Sequence, residues 1–177
     1  MDFDVVIRAF EVFIVIMFFA NKLLLLAGKR FGWLLGIIAA NLAIVYFYSR
    51  GMIPYSVLQV GVLAAMIYGY ELPEKRSSLE LPVRLTIGAV IMVLCAFVLT
   101  GSLSASKALV SIGNLLSNYF LARSNYQRGW LLLGLCNAAA AYFGYINGFI
   151  FFADFQMATA IVACIGLFLP KLKDKIQ

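Results

Sequence analysis

Long apolar runs separated by short polar breaks dominate this chain. They cover residues 10–27, 32–48, 54–70, 85–100, 106–122, 129–146 and 149–169. Most approach the roughly 20 residues a helix needs to cross a hydrocarbon core about 30 Å thick. The runs do not alternate apolar and polar positions as the strands of a membrane barrel do. Lipid offers the backbone no hydrogen-bond partners, so each run must satisfy its own N–H and C=O groups, which makes helices the default. The pattern predicts an all-α membrane protein with seven transmembrane helices. The longest polar break, 71–84, holds two prolines, two serines and six charges and reads as a linker. The expected units are a first three-helix bundle over 1–70, the linker with a connecting fourth helix over 71–103, and a second three-helix bundle with a basic cytoplasmic tail over 104–177.

The two bundles share residues at a fixed shift of 97 positions. Gly32-Trp33-Leu34-Leu35 recurs as Gly129-Trp130-Leu131-Leu132. Without gaps, the same shift sets Asn21 on Asn118, Leu24 on Leu121, Ala43 on Ala140, Tyr48 on Tyr145, Gly51 on Gly148, Ile53 on Ile150, Gln59 on Gln156 and Gly69 on Gly166. Leucine and alanine matches are cheap between apolar segments, whereas matches of Trp, Asn, Gln and Tyr are not. One helix between two copies of three returns the chain to its starting side, so both copies point the same way. That is a parallel 3+1+3 repeat, with its axis along the membrane normal.

Composition sharpens this picture. Apolar residues make up 64% of the chain and charged residues 12%, about half the charge of a soluble domain. The net charge of +6 sits between the apolar runs, which argues for membrane orientation and against a nucleic-acid partner. Lys29, Arg30, Lys75, Arg76, Arg84, Arg123, Arg128, Lys171, Lys173 and Lys175 fall at one set of helix ends, and only Arg8, Arg50 and Lys107 at the other. The rich side is the expected cytoplasmic side, which puts the N-terminus outside and the C-terminus inside. Asp2 and Asp4 stand where a cleaved leader needs positive charge, so the first run is expected to be retained.

The chain has no histidine, and Cys95, Cys136 and Cys164 are scattered within apolar runs, where they read as small packing residues. No metal-ligand spacing, paired intramembrane carboxylates or phosphate loop is visible, so neither enzyme nor cofactor chemistry is expected. The spans hold neutral polar and aromatic residues instead, including Asn21, Asn41, Gln59, Tyr68, Asn114, Asn118, Tyr119, Trp130, Asn137, Tyr142 and Gln156. Amides in lipid usually turn into the bundle, where they can line a site for a small hydroxyl-rich aromatic solute. Gln59, Tyr68, Asn114, Asn118, Trp130, Asn137 and Gln156 are the candidate binding residues. Asn114 and Asn118 share a helix face, as do Trp130 and Asn137. Trp33 and Trp130 also suit an interfacial belt. Lys22, near the inner surface, is expected to snorkel, Arg8 and Glu11 to pair, and Asp154 to stay at the interface.

These residues carry a family resemblance. Gly32-Trp33-Leu34-Leu35-Gly36-Ile37-Ile38, Tyr46-Phe47-Tyr48, Leu58-Gln59 and Tyr68-Gly69 resemble the first half of PnuC-type vitamin transporters. Asn118-Tyr119-Phe120-Leu121-Ala122-Arg123 resembles the family's fifth-helix motif, which usually has Gln where Asn118 stands, and Trp130 matches the first member of its tryptophan pair. The likeness runs from about Glu11 to the C-terminus. Leu133, Tyr70 and Glu71 stand where the family has tryptophans, and Gly129 stands where it tends to have Asn. The resemblance implies a SWEET-like fold in a bacterial inner membrane, often oligomeric, that carries nicotinamide riboside or a related vitamin by facilitated diffusion. The missing tryptophans support a second reading, a scaffold or assembly protein that keeps the fold without transport.

Overall fold

A computed structural model describes residues 3–71, 73–148 and 150–168, with side chains from residue 8 onward except at 73–75 and 151. Among the described residues all regular structure is helical: α1 (Phe3–Leu26), α2 (Phe31–Ser49), α3 (Ile53–Tyr70), α4 (Pro73–Leu99), α5 (Ala105–Ala122), α6 (Tyr126–Ile146) and α7 (Ile150–Phe168). Five of these helices, α1 to α4 and α6, are long and apolar enough to cross a membrane. The apolar part of α7 is shorter, and α5 is diluted by Ser106, Lys107, Ser111, Asn114, Ser117 and Asn118. Phe13, Ile16, Val45, Leu85, Met92, Leu109, Leu135 and Ile161 lie on the outer surface. So broad an apolar exterior belongs to a protein solvated by lipid. Lys171, Lys173, Lys175 and the Lys75 side chain, which entered the charge count, lie outside the described residues.

The expected linker is helical over most of its length. Pro73 opens α4 at a position where its missing N–H and fixed φ suit a helix start. The helix then runs through Pro82 to Leu99. Its 27 residues span about 40 Å, more than the hydrocarbon core, so the polar first turns reach past the core. Arg76 donates to the carbonyls of Gly69 and Glu71, and Arg30 donates to that of Tyr70 at 2.7 Å while lying over the Tyr70 ring. Two cations thus satisfy the carbonyls left open at the end of α3, where the helix dipole also favours positive charge.

Helix contacts close into a ring. α1 touches α2, α2 touches α3, α3 touches α5, α5 touches α6, α6 touches α7, and α7 returns to α1. α4 stands beside the ring against α3 and α5, burying Val83, Ile87, Val90 and Leu94 on one face. In this order α1 and α5 are opposite one another.

Several contacts recur 97 residues apart. The indole of Trp33 covers Gly69, and that of Trp130 covers Gly166. Both tryptophans are almost fully buried, at 1% and 2% exposure, so neither serves in an interfacial belt. Gly51 and Gly148 end α2 and α6 with φ of 69° and 75°. Across the first connection of each triplet the spacing shortens to 96. Leu25 packs on Gly32 as Leu121 packs on Gly129, and Gly28 takes a left-handed φ as Ser124 does. The α1–α2 connection has one residue more than α5–α6. At this spacing Asn118 aligns with Lys22, and Ser117 with Asn21, one step from the ungapped pairing.

Candidate functional site

Four polar side chains form a connected group inside the ring. Lys22 of α1 donates from Nζ to Oδ1 of Asn118 on α5 at 2.5 Å. Asn118 Nδ2 donates to the carbonyl of Asn114, one turn earlier. Oδ1 of Asn114 accepts Nδ2 of Asn137 from α6 at 3.1 Å, and the same Nδ2 donates to the Leu133 carbonyl. Because α1 and α5 face each other across the ring, the Lys22–Asn118 hydrogen bond crosses its interior. Lys22 and Asn118 each stand four residues from their helix ends and Asn114 eight, so the group climbs from about 6 Å to about 12 Å inside the helix ends.

Lys22 does not snorkel. It is 6% exposed, and its side chain turns inward to an amide acceptor instead of outward along the helix. An interior expected to be lined by neutral polar and aromatic residues thus also holds an amine. Its sequence signal was plain, since an ionisable residue within an apolar run points to function before it points to packing.

The other candidate residues are distributed around this group. Tyr68 is buried on α3 and meets Tyr119, the neighbour of Asn118, with ring centroids 6.3 Å apart. The Tyr119 hydroxyl accepts a hydrogen bond from Arg84 at 3.0 Å, and Arg123 lies over its ring. Glu80 bridges Arg84 and Arg123, fastening α4 to the end of α5. Gln59 is half-buried in α3, and its Oε1 is buried without a hydrogen-bond partner. Gln156 is half-buried in α7. Trp130 packs on Gly166 of α7, while Asn137, on the same helix, joins Asn114. Tyr119 was named only as a polar residue of the spans, yet it stands next to Asn118 in the chain and contacts Arg84 and Arg123 at the helix ends.

Not every polar residue of the spans turns inward. Asn41 is exposed and donates to the Ile37 carbonyl of its own helix, and Tyr142 faces outward. Asn21 Nδ2 donates to the Gly32 carbonyl, which ties α1 to α2. Glu11 accepts the Tyr46 hydroxyl instead of pairing with Arg8, and Asp154 accepts that of Tyr145. Cys95 and Cys164 are exposed, while half-buried Cys136 packs on Gly113 as a small core residue does.

A separate hollow of about 240 Å³ opens at the other end of the bundle, between Gly51, Met52, Pro54 and Tyr55 on one side and Ser102, Leu103, Ser104 and Lys107 on the other. It is formed by two helix connections and lies away from the polar group. Comparison with family models, curated proteins and solved structures finds no match.

Proposed function

We propose that this protein is an integral membrane carrier for a small vitamin-like nucleoside, with nicotinamide riboside as the first probe. The observation that carries this reading is the polar group of Lys22, Asn118, Asn114 and Asn137 within a closed ring of mostly apolar helices. Polar groups are expensive to bury in a membrane protein, and the interior of a bundle is where substrate pathways lie. The pairing of Lys22 with its counterpart Asn118, and the matching tryptophan–glycine contacts, support two like-oriented triplets related by an axis through the ring. In this reading all seven helices cross the membrane, and α5 and α7 do so because their less apolar faces meet neighbours rather than lipid. Alternating access then comes from rocking one triplet against the other, with the thin α1–α7 seam opposite the broader α3–α5 seam. The excess of Arg and Lys at the end of α1, α3 and α5 supports a cytoplasmic placement of that end.

The test is uptake of labelled nicotinamide riboside into proteoliposomes. Influx is expected with the native protein, and Asn118→Ala is expected to cut it at least tenfold. Absence of influx for nicotinamide riboside, nicotinic acid riboside, thiamine and riboflavin alike would end the carrier reading. The scaffold reading finds support in the internal pairing of the amides, which can serve as helix–helix bonds worth about 0.6 kcal/mol each. A scaffold gains no thermal stability in detergent from any of these solutes, whereas a carrier does.

A further inference from the structure

We infer that the interior site is built for a solute bearing a carboxylate, and that Lys22 is the residue that selects substrate charge. This inference rests on the carrier reading and narrows its substrate class.

An ammonium group has three N–H donors. Lys22 is 6% exposed, and its amine has one hydrogen-bond partner among the described residues, the neutral Oδ1 of Asn118. Of the described carboxylates, Glu80 is engaged with Arg84 and Arg123, Glu11 with Tyr46 and Asp154 with Tyr145, and Glu71, at the end of α3, forms no ion pair with Lys22. No described ion pair includes Lys22. A buried amine holds its proton only beside a counter-charge and several acceptors, and among the described residues this one has a single neutral acceptor. The deficit lies in the ring interior, because the amine reaches across to the opposite helix instead of toward the nearby helix end.

The surroundings carry the same sign. Lys29, Arg30, Arg76, Arg84, Arg123 and Arg128 gather at the end nearest Lys22, against Glu71 and Glu80 among the described side chains there. Arg84 and Arg123 hold Tyr119, next to Asn118. A surface with an excess of one sign above a low-dielectric interior concentrates ligands of the opposite sign. A carboxylate reaching Lys22 supplies both the missing charge and the missing acceptors, while Asn114 and Asn137 remain to bind hydroxyls. A solute whose only charge is a fixed pyridinium cation brings the amine no counter-charge, and it opposes protonation of the amine.

Nicotinic acid riboside and nicotinamide riboside separate these cases, since they share ring and sugar and differ in carboxylate against carboxamide. Their influx into proteoliposomes of the full chain is measured with the membrane potential clamped at zero. The native protein is expected to take up the carboxylate form at least tenfold faster. Lys22→Met is expected to reduce the ratio to below threefold, with Lys22→Gln giving the same reading should the methionine variant not fold. Equal influx of the two nucleosides, or a preference for the carboxamide, refutes the role of Lys22 and leaves the carrier reading in place. An unchanged ratio in both variants also refutes it. If neither nucleoside enters, and thiamine and riboflavin also fail to enter, the carrier reading falls; whenever neither nucleoside enters, thermal unfolding in detergent decides the role of Lys22. Stabilisation by nicotinic acid riboside that is lost in Lys22→Gln supports it, and no stabilisation of the native protein refutes it.

Discussion

At Gly69 and Gly166 the absence of a side chain lets an indole from the neighbouring helix approach the backbone. A Cβ added at either position would fall 2.5 Å from the ring, of Trp33 in one case and Trp130 in the other. Real Cβ atoms do not come so close, so the indole or the helix must shift. Gly69→Ala and Gly166→Ala are each expected to destabilise the protein by about 1–3 kcal/mol, the usual range for overpacking. Thermal unfolding in detergent reads this as a lowered Tm. Gly88→Ala is the control: nothing lies within 4 Å of a Cβ there, and alanine is the better helix former, so its Tm should hold or rise. The same scale explains the interior group. An amide can accept from an amine and donate to a carbonyl together, and Asn118 does both.

Helix ends show how elements are terminated. α1, α2, α4 and α6 each stop at a glycine with positive φ: Gly28, Gly51, Gly101 and Gly148. After α1 and α2 the next two N–H groups fold back onto the last turn, Gly28 to Leu25 and Lys29 to Leu24, Gly51 to Tyr48 and Met52 to Phe47. That is the Schellman arrangement, which favours glycine because the left-handed region crowds a Cβ. α5 ends in the same way, with Ser124 to Leu121 and Asn125 to Phe120, but with serine at φ 60°. Ser124→Gly is expected to stabilise the protein by about 1 kcal/mol, the size of the left-handed penalty. Gly51→Ala, which meets no neighbouring atom, should lower stability by a similar amount. Chemical unfolding monitored by tryptophan fluorescence measures both.

On the scale of the molecule, the ring and the charges at its ends belong together. Lys29 and Arg30 lie on the connection after α1, and Arg50 and Gly51 on the connection after α2, at the opposite end. If the richer end faces the cytoplasm, single cysteines at these two connections differ in access. In a background with Cys95, Cys136 and Cys164 replaced, Arg50→Cys is expected to react with a membrane-impermeant maleimide added to intact cells. Lys29→Cys is expected to react only after the membrane is opened. The reverse result would invert the orientation and turn the arginine-rich helix ends outward.

Much of this was written in the chain itself. Apolar runs of membrane length, glycines where helices stop, and the recurrence of Gly32-Trp33 as Gly129-Trp130 are local facts, because run length, backbone freedom and residue type act through near neighbours. They indicated helix number and approximate bounds, and they named Asn114, Asn118 and Asn137, which the fold brings together by hydrogen bonds. Folding decided what each side chain faces. Helicity over 73–84 overrode the polar composition that reads as a linker, since Pro73 can start a helix and long cationic side chains can reach back to α3. The one-residue difference between two connections shifted the partner of Asn118 from Asn21 to Lys22, which no ungapped comparison detects. Whether a lysine near a helix end reaches for water or for the helix opposite depends on the direction of its Cβ and on the ring that encloses it. Only the packed bundle sets that direction.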